Sequence, residues 1–284
     1  MFLTTLMKRL EERQSLDEAV EAARSTVDAV LPPGPVKDVL HGKPLGHALH
    51  PLLVALPIGM NVGATLLDVF GDDDDRVAAR RLVGAALVST VPTVASGWAD
   101  WSELGSAQRP ARVGLVHAVV NGAAAGVFAA SWFARLAGHH RAGAALSMVG
   151  LGGLGAAGYL GGHLVYAQGV AVSRAMDHEP QPQDWTDAAA SADVTEGLLR
   201  VEVSGQPVVL TRAGGVLGAL GATCTHLGGP LDEGTVEDGC IVCPWHGSRF
   251  DLADGSVDRG PASVPQPAYE VRERGDRVEV RARP

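Results

Sequence analysis

Two short segments in the last quarter of the chain each combine a cysteine with a histidine. Residues 224–226 read Cys-Thr-His, and after sixteen further residues positions 243–246 read Cys-Pro-Trp-His. Thiolates and imidazoles bind borderline metals such as zinc and iron. The chain has only three cysteines, all between positions 224 and 243, which does not suit a secreted disulfide framework. We therefore predict a metal site with four ligands: Cys224, His226, Cys243 and His246.

Two metal groups fit this donor set. Zinc binds two cysteines and two histidines, but zinc fingers usually pair Cys with Cys and His with His. Here each segment supplies one of each, which suits a [2Fe–2S] cluster with both thiolates on one iron and both imidazoles on the other. Glycines and prolines around both segments indicate tight turns that would fold the two loops against each other. The third cysteine, Cys240, is interpreted as a small buried apolar residue.

The elements that must position these ligands are predicted to be strands. Over residues 196–284 short β-rich runs alternate with glycine-containing turns, which is typical of a small all-β domain with antiparallel sheets. The stretch before it, residues 177–195, is rich in Asp, Gln, Pro, Ala and Ser and has no hydrophobic period. It is predicted to be a linker.

Residues 196–284 resemble Rieske [2Fe–2S] domains. The resemblance rests on the two ligand segments, on residues 246–251 (His-Gly-Ser-Arg-Phe-Asp) and on residues 260–262 (Gly-Pro-Ala), which are similar to that family's proline loop. It implies that Cys224 and Cys243 bind one iron and that His226 and His246 bind the other at an exposed edge. It also implies a set of residues around the cluster: Leu227, Trp245, Gly247, Ser248, Phe250 and Pro261.

Departures from the respiratory type of Rieske domain lower the expected reduction potential. That type closes a disulfide between its ligand loops, whereas this chain has Gly229 and Trp245 at those positions. Ser248 keeps a hydroxyl able to donate to a bridging sulfide, but Phe250 stands where the high-potential type has a tyrosine. Fewer donors stabilise the reduced cluster less, so we expect a potential in the lower half of the Rieske range of about −150 to +300 mV. The ferredoxin type has this pattern.

Upstream of the linker, the chain carries four apolar stretches without Asp, Glu, Lys or Arg. Each is long enough to cross a bilayer as a helix. A soluble helical core is the competing interpretation, but soluble helices normally carry a charged face. We predict an all-α four-helix transmembrane bundle over residues 37–176, after an amphipathic helix over residues 1–36 that lies on the membrane surface or on the bundle. The predicted spans are 50–69, 82–100, 113–135 and 143–168.

Histidines mark one face of this predicted bundle. With four spans, the start of the first and third helices and the end of the second and fourth meet at one membrane face. There the chain places four histidines: His47, His50, His117 and His163. His117 and His163 have matching depths and would suit axial ligation of a haem iron or a hydrogen bond to a quinone head group. An interhelical hydrogen bond explains them equally well. The remaining histidines are expected to be solvated loop residues: His41, His139, His140 and His178.

The membrane half resembles an uncharacterised bacterial family of four-helix membrane proteins that has no agreed activity. The resemblance covers about residues 40–170 and rests on residues 46–51 (Gly-His-Ala-Leu-His-Pro), residues 56–59 (Leu-Pro-Ile-Gly) and Asp68. A haem or quinone site is therefore an inference from the placement of the histidines alone.

Charge and composition narrow the function. The formal net charge is −9, most of it in residues 181–284, and the chain has no Lys/Arg-rich run, so nucleic acid is excluded as an expected partner. A Rieske centre transfers single electrons, and no soluble sequence remains for the mononuclear iron domain of an oxygenase. We predict a membrane-bound Rieske electron-transfer protein, an oxidoreductase component without its own substrate-transforming site. It would pass electrons between a soluble partner and a haem or quinone.

The alternative is a membrane-anchored Rieske ferredoxin whose helices are only an anchor. In either case the expected partners are the lipid bilayer and a redox protein, namely a reductase, an oxygenase or a respiratory component. The expected location is the cell membrane, with several spans and with the Rieske domain on the cytoplasmic side. This side is expected because the N-terminal segment lacks signal-peptide features and the ligand loops lack a disulfide.

Overall fold

A computed structural model describes residues 2–105, 108–175 and 182–283 of the chain. The chain divides into two compact units. The first, which we call the helical unit, comprises residues 1–32 and 49–170. The second, the β unit, comprises residues 33–48 and 171–284. The chain therefore passes between the two units three times.

In the part of the helical unit that the structure describes, four helices are long and apolar enough to cross a membrane. They are α4 (His50–Phe70), α5 (Arg76–Ser102), α6 (Gln108–Leu136) and α7 (His140–Tyr166). The four predicted spans overlap these helices. α5 and α6 begin several residues before the predicted spans, because arginines such as Arg80 and Arg112 continue a helix beyond its apolar part.

Small residues let the helices of this unit approach closely. A methyl group added at Gly150 of α7 would stand 2.8 Å from the ring of Phe128 on α6, and one at Gly153 would stand 3.1 Å from Ala124 Cβ. In α5, Gly84 makes the same kind of contact with Trp132. Close approach through glycine and alanine is the usual basis of helix association in lipid.

A buried ion pair joins α4 to α6 where these helices end and α7 begins. Arg135, whose side chain is fully buried, donates to both carboxylate oxygens of Asp68, with 2.7 Å between Nη1 and Oδ1. Its other donors reach the hydroxyls of Ser131 and Ser147, both at 3.2 Å. All three nitrogens of the guanidinium therefore donate hydrogen bonds, which offsets the cost of burying its charge.

The N-terminal segment forms two helices of the helical unit instead of one amphipathic helix over residues 1–36. They are α1 (Phe2–Glu11) and α2 (Asp17–Val30), joined by a short 3₁₀ turn. Arg112 holds the end of α1 beside the start of α2, because it donates to the Glu11 carbonyl and to the Asp17 carboxylate, each at 2.6 Å. α1 lies on the bundle, where buried Met7 packs with residues of α6 and α7.

Within its described residues, the β unit contains ten strands in three antiparallel sheets. The first sheet has the order β1-β10-β9, the second β2-β3-β4 and the third β5-β6-β7-β8. The bounds are β1 (Thr186–Ala190), β2 (Leu199–Val203), β3 (Gln206–Ala213), β4 (Val216–Gly221), β5 (Thr235–Glu237), β6 (Cys240–Val242), β7 (Arg249–Asp251), β8 (Val257–Arg259), β9 (Tyr269–Arg274) and β10 (Arg277–Ala282). Two buried clusters hold the sheets together, one around Val208 and Val278, the other around Ile241 and Phe250.

Two parts of this unit differ from the sequence prediction. Strand β1 lies inside the predicted linker 177–195, because it pairs with β10, and only distant residues supply that pairing. Residues 33–48 belong with the β unit by their contacts, whereas the sequence prediction placed residues 37–48 in the bundle. They contain helix α3 (Pro35–His41), which begins after two prolines and Gly34 and ends at Gly42.

Candidate metal centre

The two predicted ligand segments form loops with the same backbone hydrogen bonds. The loops are Cys224–Gly229, which follows β4, and Cys243–Ser248, which connects β6 to β7. In both, the N–H of the first residue donates to the carbonyl of the last, at 2.9 Å in the first loop and 2.8 Å in the second. The two loops are therefore built as a matched pair.

A glycine in the left-handed region closes each loop. Gly228 has a φ of +82° and Gly247 a φ of +70°. Each lies four residues after its cysteine and donates its N–H to that cysteine's carbonyl, at 2.9 Å to Cys224 and 3.0 Å to Cys243. Glycine adopts this conformation without steric cost, which explains the glycine at the same distance from both cysteines.

The loop backbone also points amides at the cysteine sulfurs. In each loop the N–H groups two and three residues after the cysteine donate to its sulfur. These residues are His226 and Leu227 in the first loop, and Trp245 and His246 in the second. The hydrogen bond between the two thiols, with the help of the amides of its own loop, lowers the pKa of Cys243 to about 7. Thiolates held by backbone amides are the form that binds iron.

The two histidines lie side by side. The ring centroids of His226 and His246 are 5.0 Å apart, with the ring planes nearly perpendicular. His226 Nδ1 is buried and has no hydrogen-bond partner among the described residues. Burial, followed by the charge of His246, lowers the pKa of His226 to about 3, so its ring is neutral at physiological pH. A neutral imidazole with a buried, unpartnered nitrogen fits a metal ligand.

The donor set as a whole fits a two-iron cluster. The thiols of Cys224 and Cys243 contact each other, and the two imidazoles form a second pair. Within the described residues, no three His, Cys, Asp or Glu side chains converge on a single metal ion. A [2Fe–2S] cluster takes two protein ligands per iron. Ser248 is fully buried and accepts a hydrogen bond from the Ala262 N–H at 3.0 Å, which leaves its hydroxyl proton available to donate.

The other residues predicted around the cluster occupy different environments. Phe250 is fully buried in the core that also contains both cysteines. Pro261 is buried, Leu227 is half-buried and Trp245 is exposed. At Gly229 a Cβ would stand 2.7 Å from Cys243 Sγ, so this backbone lies directly against the sulfur.

Gln266 is a site residue that the sequence analysis missed. Its buried side chain donates from Nε2 to the carbonyls of Gly221 and Thr223, at 2.8 and 2.6 Å, and accepts from the Thr225 N–H at 3.2 Å. Thr225 in turn donates its hydroxyl to the Val264 carbonyl. These bonds fix the first ligand loop to the segment after the proline loop. The sequence carries no local signal for them, because the partners are about forty residues apart.

His41 differs from the prediction that it is a solvated loop residue. It is the last residue of α3 and has only 2% exposure. Its ring Cδ2 is 3.1 Å from where a Cβ at Gly260 would stand, because α3 contacts the proline loop of the β unit. Of the other three histidines, His139 is exposed, His140 is half-buried, and His178 lies outside the described residues.

In the helical unit, two histidines make the same bond between helices. His50 Nδ1 lies 3.0 Å from the carbonyl of Thr93 on α5, and His117 Nδ1 lies 2.9 Å from the carbonyl of Ala157 on α7. Because a carbonyl only accepts, both Nδ1 atoms carry the proton and the Nε2 atoms carry the lone pair. The amide of Asn121 donates to His117 Nε2 at 3.1 Å, which agrees with this tautomer.

A glycine faces each of these rings. Four residues after each accepting carbonyl, Gly97 lies against the His50 ring and Gly161 against the His117 ring. A methyl group there would stand 2.8 Å and 3.1 Å from the respective Cε1 atoms. The α4–α5 and α6–α7 pairs therefore carry equivalent histidine sites.

The remaining two predicted membrane histidines have other surroundings. His163 Nε2 lies 2.6 Å from Glu11 Oε1 of α1, so the structure gives it a carboxylate partner in place of the expected pairing with His117. His47 is exposed and belongs to the β unit, with its Nδ1 3.1 Å from the Ala48 carbonyl. The sequence placed His163 correctly on its helix but could not predict that α1 folds back onto it.

Fold and site together define a small antiparallel β domain with a Rieske-type ligand arrangement, joined to a four-helix membrane unit. Comparison with known families agrees. Residues 184–270 match the family described as Rieske [2Fe-2S] domain, and residues 46–174 match one described as Predicted membrane protein (DUF2231). The chain belongs to the Rieske [2Fe–2S] family and carries a predicted-membrane-protein domain before it. The Rieske domain implies a [2Fe–2S] cluster and electron transfer.

The individual relatives described next each match about a third of the chain. The chain is 35% identical over 106 residues to apoptosis-inducing factor 3 of Homo sapiens, which covers 36% of this chain and 18% of that protein. It is 35% identical over 98 residues to the anthranilate 1,2-dioxygenase ferredoxin subunit of Burkholderia cepacia, covering 34% of this chain and 91% of the subunit. A solved complex of reduced oxygenase and oxidized ferredoxin in carbazole 1,9a-dioxygenase matches at 32% identity and a TM-score of 0.33, covering 35% of this chain and 94% of that one.

Proposed function

We propose that this chain is a membrane-bound Rieske electron-transfer protein that passes single electrons between a soluble partner and a redox centre held by the helical unit. A [2Fe–2S] cluster, when bound, supplies the one-electron oxidation and reduction. The observation that carries the proposal is the matched pair of ligand loops, each with a cysteine sulfur that accepts two backbone amides. The proposal includes no site that transforms a substrate.

In this proposal the four ligands have separate roles. Cys224 and Cys243 bind one iron, and the loop amides stabilise their negative charge. His226 and His246 bind the other iron as neutral rings, and the buried, unpartnered Nδ1 of His226 supports this assignment. Ser248 donates its hydroxyl toward the cluster, while Phe250 offers no donor, so the expected potential is that of a ferredoxin type.

The second redox centre is proposed at His50 and His117. Both rings are anchored through Nδ1 to a carbonyl of the neighbouring helix, an arrangement also found for metal-bound histidines, which donate their other ring N–H to a fixed acceptor. The lone pair on Nε2 suits either axial ligation of a haem iron or acceptance of a hydrogen bond from a quinol hydroxyl. A ligand at His117 would take the place of the Asn121 amide. This pair replaces the pairing of His117 with His163.

The test is a dithionite-reduced minus oxidised absorbance spectrum of the full chain purified in detergent. With haem, sharp b-type bands appear beside the broad iron–sulfur features. They are lost in His50→Ala and in His117→Ala, and they remain in the control variants His47→Ala and His163→Ala. If the bands are absent, the bound quinone is extracted and quantified in the same variants. Neither haem nor quinone at His50 and His117 would remove this part of the proposal.

A second candidate function is a membrane-anchored ferredoxin that serves a separate oxygenase or reductase. The observation that favours it is the 35% identity over 91% of a dioxygenase ferredoxin subunit. The acidic character of residues 181–284 would favour a partner with a basic docking patch. This candidate predicts iron–sulfur features alone in the difference spectrum and the same cluster reduction rate after substitution of His50 or His117.

We further propose that the β unit lies on the cytoplasmic side of the cell membrane. Beside the two proposed ligands, the ligand loops carry no further cysteines that could form a bridge between them, which supports this side, since cytosolic proteins rarely hold disulfides. A cysteine introduced at exposed Val216 would report the side. With an impermeant maleimide, Val216→Cys is labelled in inverted vesicles and protected in right-side-out cells. The reverse pattern would place the unit outside.

A further inference from the structure

Helix α3 contacts the loop that covers the candidate cluster site, although it lies more than 130 residues before the Rieske match in the sequence. Both belong to the β unit. The Gly260 N–H donates to Asp38 Oδ1 at 2.9 Å, a bond that spans 222 positions of the chain. Lys43 follows α3 and donates from Nζ to the Asp258 carbonyl. Two polar contacts therefore hold residues 258–260 from the outside.

The His41 ring makes a third contact with the same loop. It lies so close to Gly260 that a Cβ there would stand 3.1 Å from its Cδ2. The ring is buried, with 2% exposure. It contacts the same loop whose Ala262 N–H donates to Ser248, two residues after the proposed ligand His246.

The contact depends on these polar groups more than on apolar packing. Beside them lies an open groove of about 400 Å³, lined by residues of α3 and of the proline loop region. The apolar side chains Val36 and Val39 of α3 remain 69% and 52% exposed in the structure. Loss of the Asp38 hydrogen bond would therefore leave the Lys43 bond and the His41 ring contact to hold this part of the loop.

The other side of the same loop is bonded to the cluster pocket. The Ala262 N–H donates to Ser248 Oγ at 3.0 Å. This bond fixes the Ser248 oxygen and leaves its proton free to donate toward the cluster. Residues 260–262 therefore connect Asp38 on the outside to Ser248 on the inside through three residues of backbone.

We infer that Asp38 is a positioning residue for the cluster, because it holds the Gly260–Ala262 loop and, through it, the Ser248 hydroxyl. α3 is thus a part of the electron-transfer site that is contributed from outside the Rieske sequence. The inference rests on the cluster ligands assigned under the proposed function. Removing Asp38 loosens the loop and weakens the Ser248 donor, which stabilises the reduced cluster less and lowers its potential.

The test is a redox titration of the full chain in detergent, followed by the EPR signal of the reduced cluster. Four variants are compared with wild type: Asp38→Ala, Asp38→Asn, Ser248→Ala and the double variant Asp38→Ala with Ser248→Ala. We expect Ser248→Ala to lower the potential, and Asp38→Ala to lower it by a smaller amount. Asp38→Asn keeps an Oδ1 acceptor and retains most of the wild-type value. The control is Glu18→Ala, an exposed acidic residue of α2.

The double variant tests whether Asp38 affects the potential through Ser248. If Asp38 acts through Ser248, the double variant has the potential of Ser248→Ala alone, because the two substitutions remove one shared interaction. Full addition of the two shifts would overturn the inference. Hydrogen exchange supplies a readout that needs no cluster: the Gly260 amide exchanges at least about tenfold faster in Asp38→Ala, as a lost hydrogen bond requires. Unchanged exchange and potential would also overturn it.

Two outcomes are kept separate by the design. A wild-type protein without a Rieske EPR signal contradicts the proposed function. A normal signal in wild type, with a potential that does not change in Asp38→Ala, contradicts only the present inference. Should Asp38→Ala fail to fold, Lys43→Gln weakens the same loop through Asp258. It is expected to shift the potential in the same direction by less, and no shift would count against the inference.

Discussion

Histidine and glycine have different roles in the two units. In the β unit, His226 keeps its Nδ1 buried and without a hydrogen-bond partner. In the helical unit, the Nδ1 atoms of His50 and His117 are both bound to helix carbonyls. The ring nitrogen that is not bound to a carbonyl is therefore Nδ1 in His226 and Nε2 in His50 and His117. A histidine predicted as a ligand from sequence must be judged by which nitrogen the fold leaves available.

Glycine also has a different role in each unit. Gly228 and Gly247 of the β unit have positive φ, and they serve to turn the backbone. Gly97 and Gly161 lie within regular helices and leave room for a histidine ring. A substitution to alanine therefore meets a conformational penalty in the first case and a steric one in the second. Four substitutions test the differences between the two units, and two of the four are at glycines.

Loss of a ligand has the largest expected effect, and it is confined to the β unit. In the proposed ligand assignment, Cys224→Ala removes one of two thiolates on the same iron, so we expect the Rieske EPR signal to vanish entirely. The far-UV circular dichroism of the helices is expected to remain. Cys240→Ala is the matched control, since Cys240 lies buried in β6 and is not among the four proposed ligands. A signal of wild-type intensity in Cys224→Ala would disprove the ligand assignment.

Asp68→Ala is expected to destabilise the helical unit and to leave the β unit intact. It leaves the buried Arg135 charge without its partner, which typically costs about 3–5 kcal/mol. We expect the thermal unfolding midpoint of the helical unit to fall strongly in detergent, with the EPR signal of the β unit unchanged at low temperature. Asp73→Ala breaks only an exposed ion pair with Arg76 and is expected to change stability by less than about 1 kcal/mol. Equal effects of the two variants would contradict the proposed importance of the buried pair.

Gly97→Ala tests the steric role of glycine. The added methyl stands 2.8 Å from His50 Cε1, and the ring is held by its bond to Thr93, so we expect destabilisation of about 1–3 kcal/mol from overpacking. Gly126→Ala on α6 meets nothing within 4 Å. As the control it is expected to be neutral or slightly stabilising, by up to about 1 kcal/mol. Both are measured by thermal unfolding in the same detergent.

Gly247→Ala tests the conformational role and has the smallest expected effect. Its Cβ would stand 3.5 Å from Arg259 Nη2, an ordinary contact, so only the left-handed backbone opposes it. The expected cost is about 1–2 kcal/mol, measured as a lower temperature of cluster loss. Gly197→Ala, exposed and without positive φ, serves as the control. A cost as large as that of Asp68→Ala would indicate that this loop tolerates no adjustment.

Local sequence sufficed for the features that are themselves local. The Rieske resemblance followed from two short segments, and the four apolar helices followed from composition, because membrane helices satisfy their own backbone hydrogen bonds. The partner of His163 was not predictable, since Glu11 lies 152 positions away and reaches it only after α1 folds onto α6 and α7. Asp38 and Gln266 were missed for the same reason. They bind backbone groups, which leave no pattern in the sequence.

Placement of residues 33–48 within the β unit has a consequence for how the protein is made. These residues leave the ribosome before the four spans, and residue 171 follows only after them. At about 5–20 residues per second, the intervening helices take about 6 to 25 s to synthesise. During that time α3 has no fold to join. Assembly of the complete β unit, and with it iron loading of a fully covered site, therefore waits until membrane insertion of the helices is under way, which orders the two maturation steps in time.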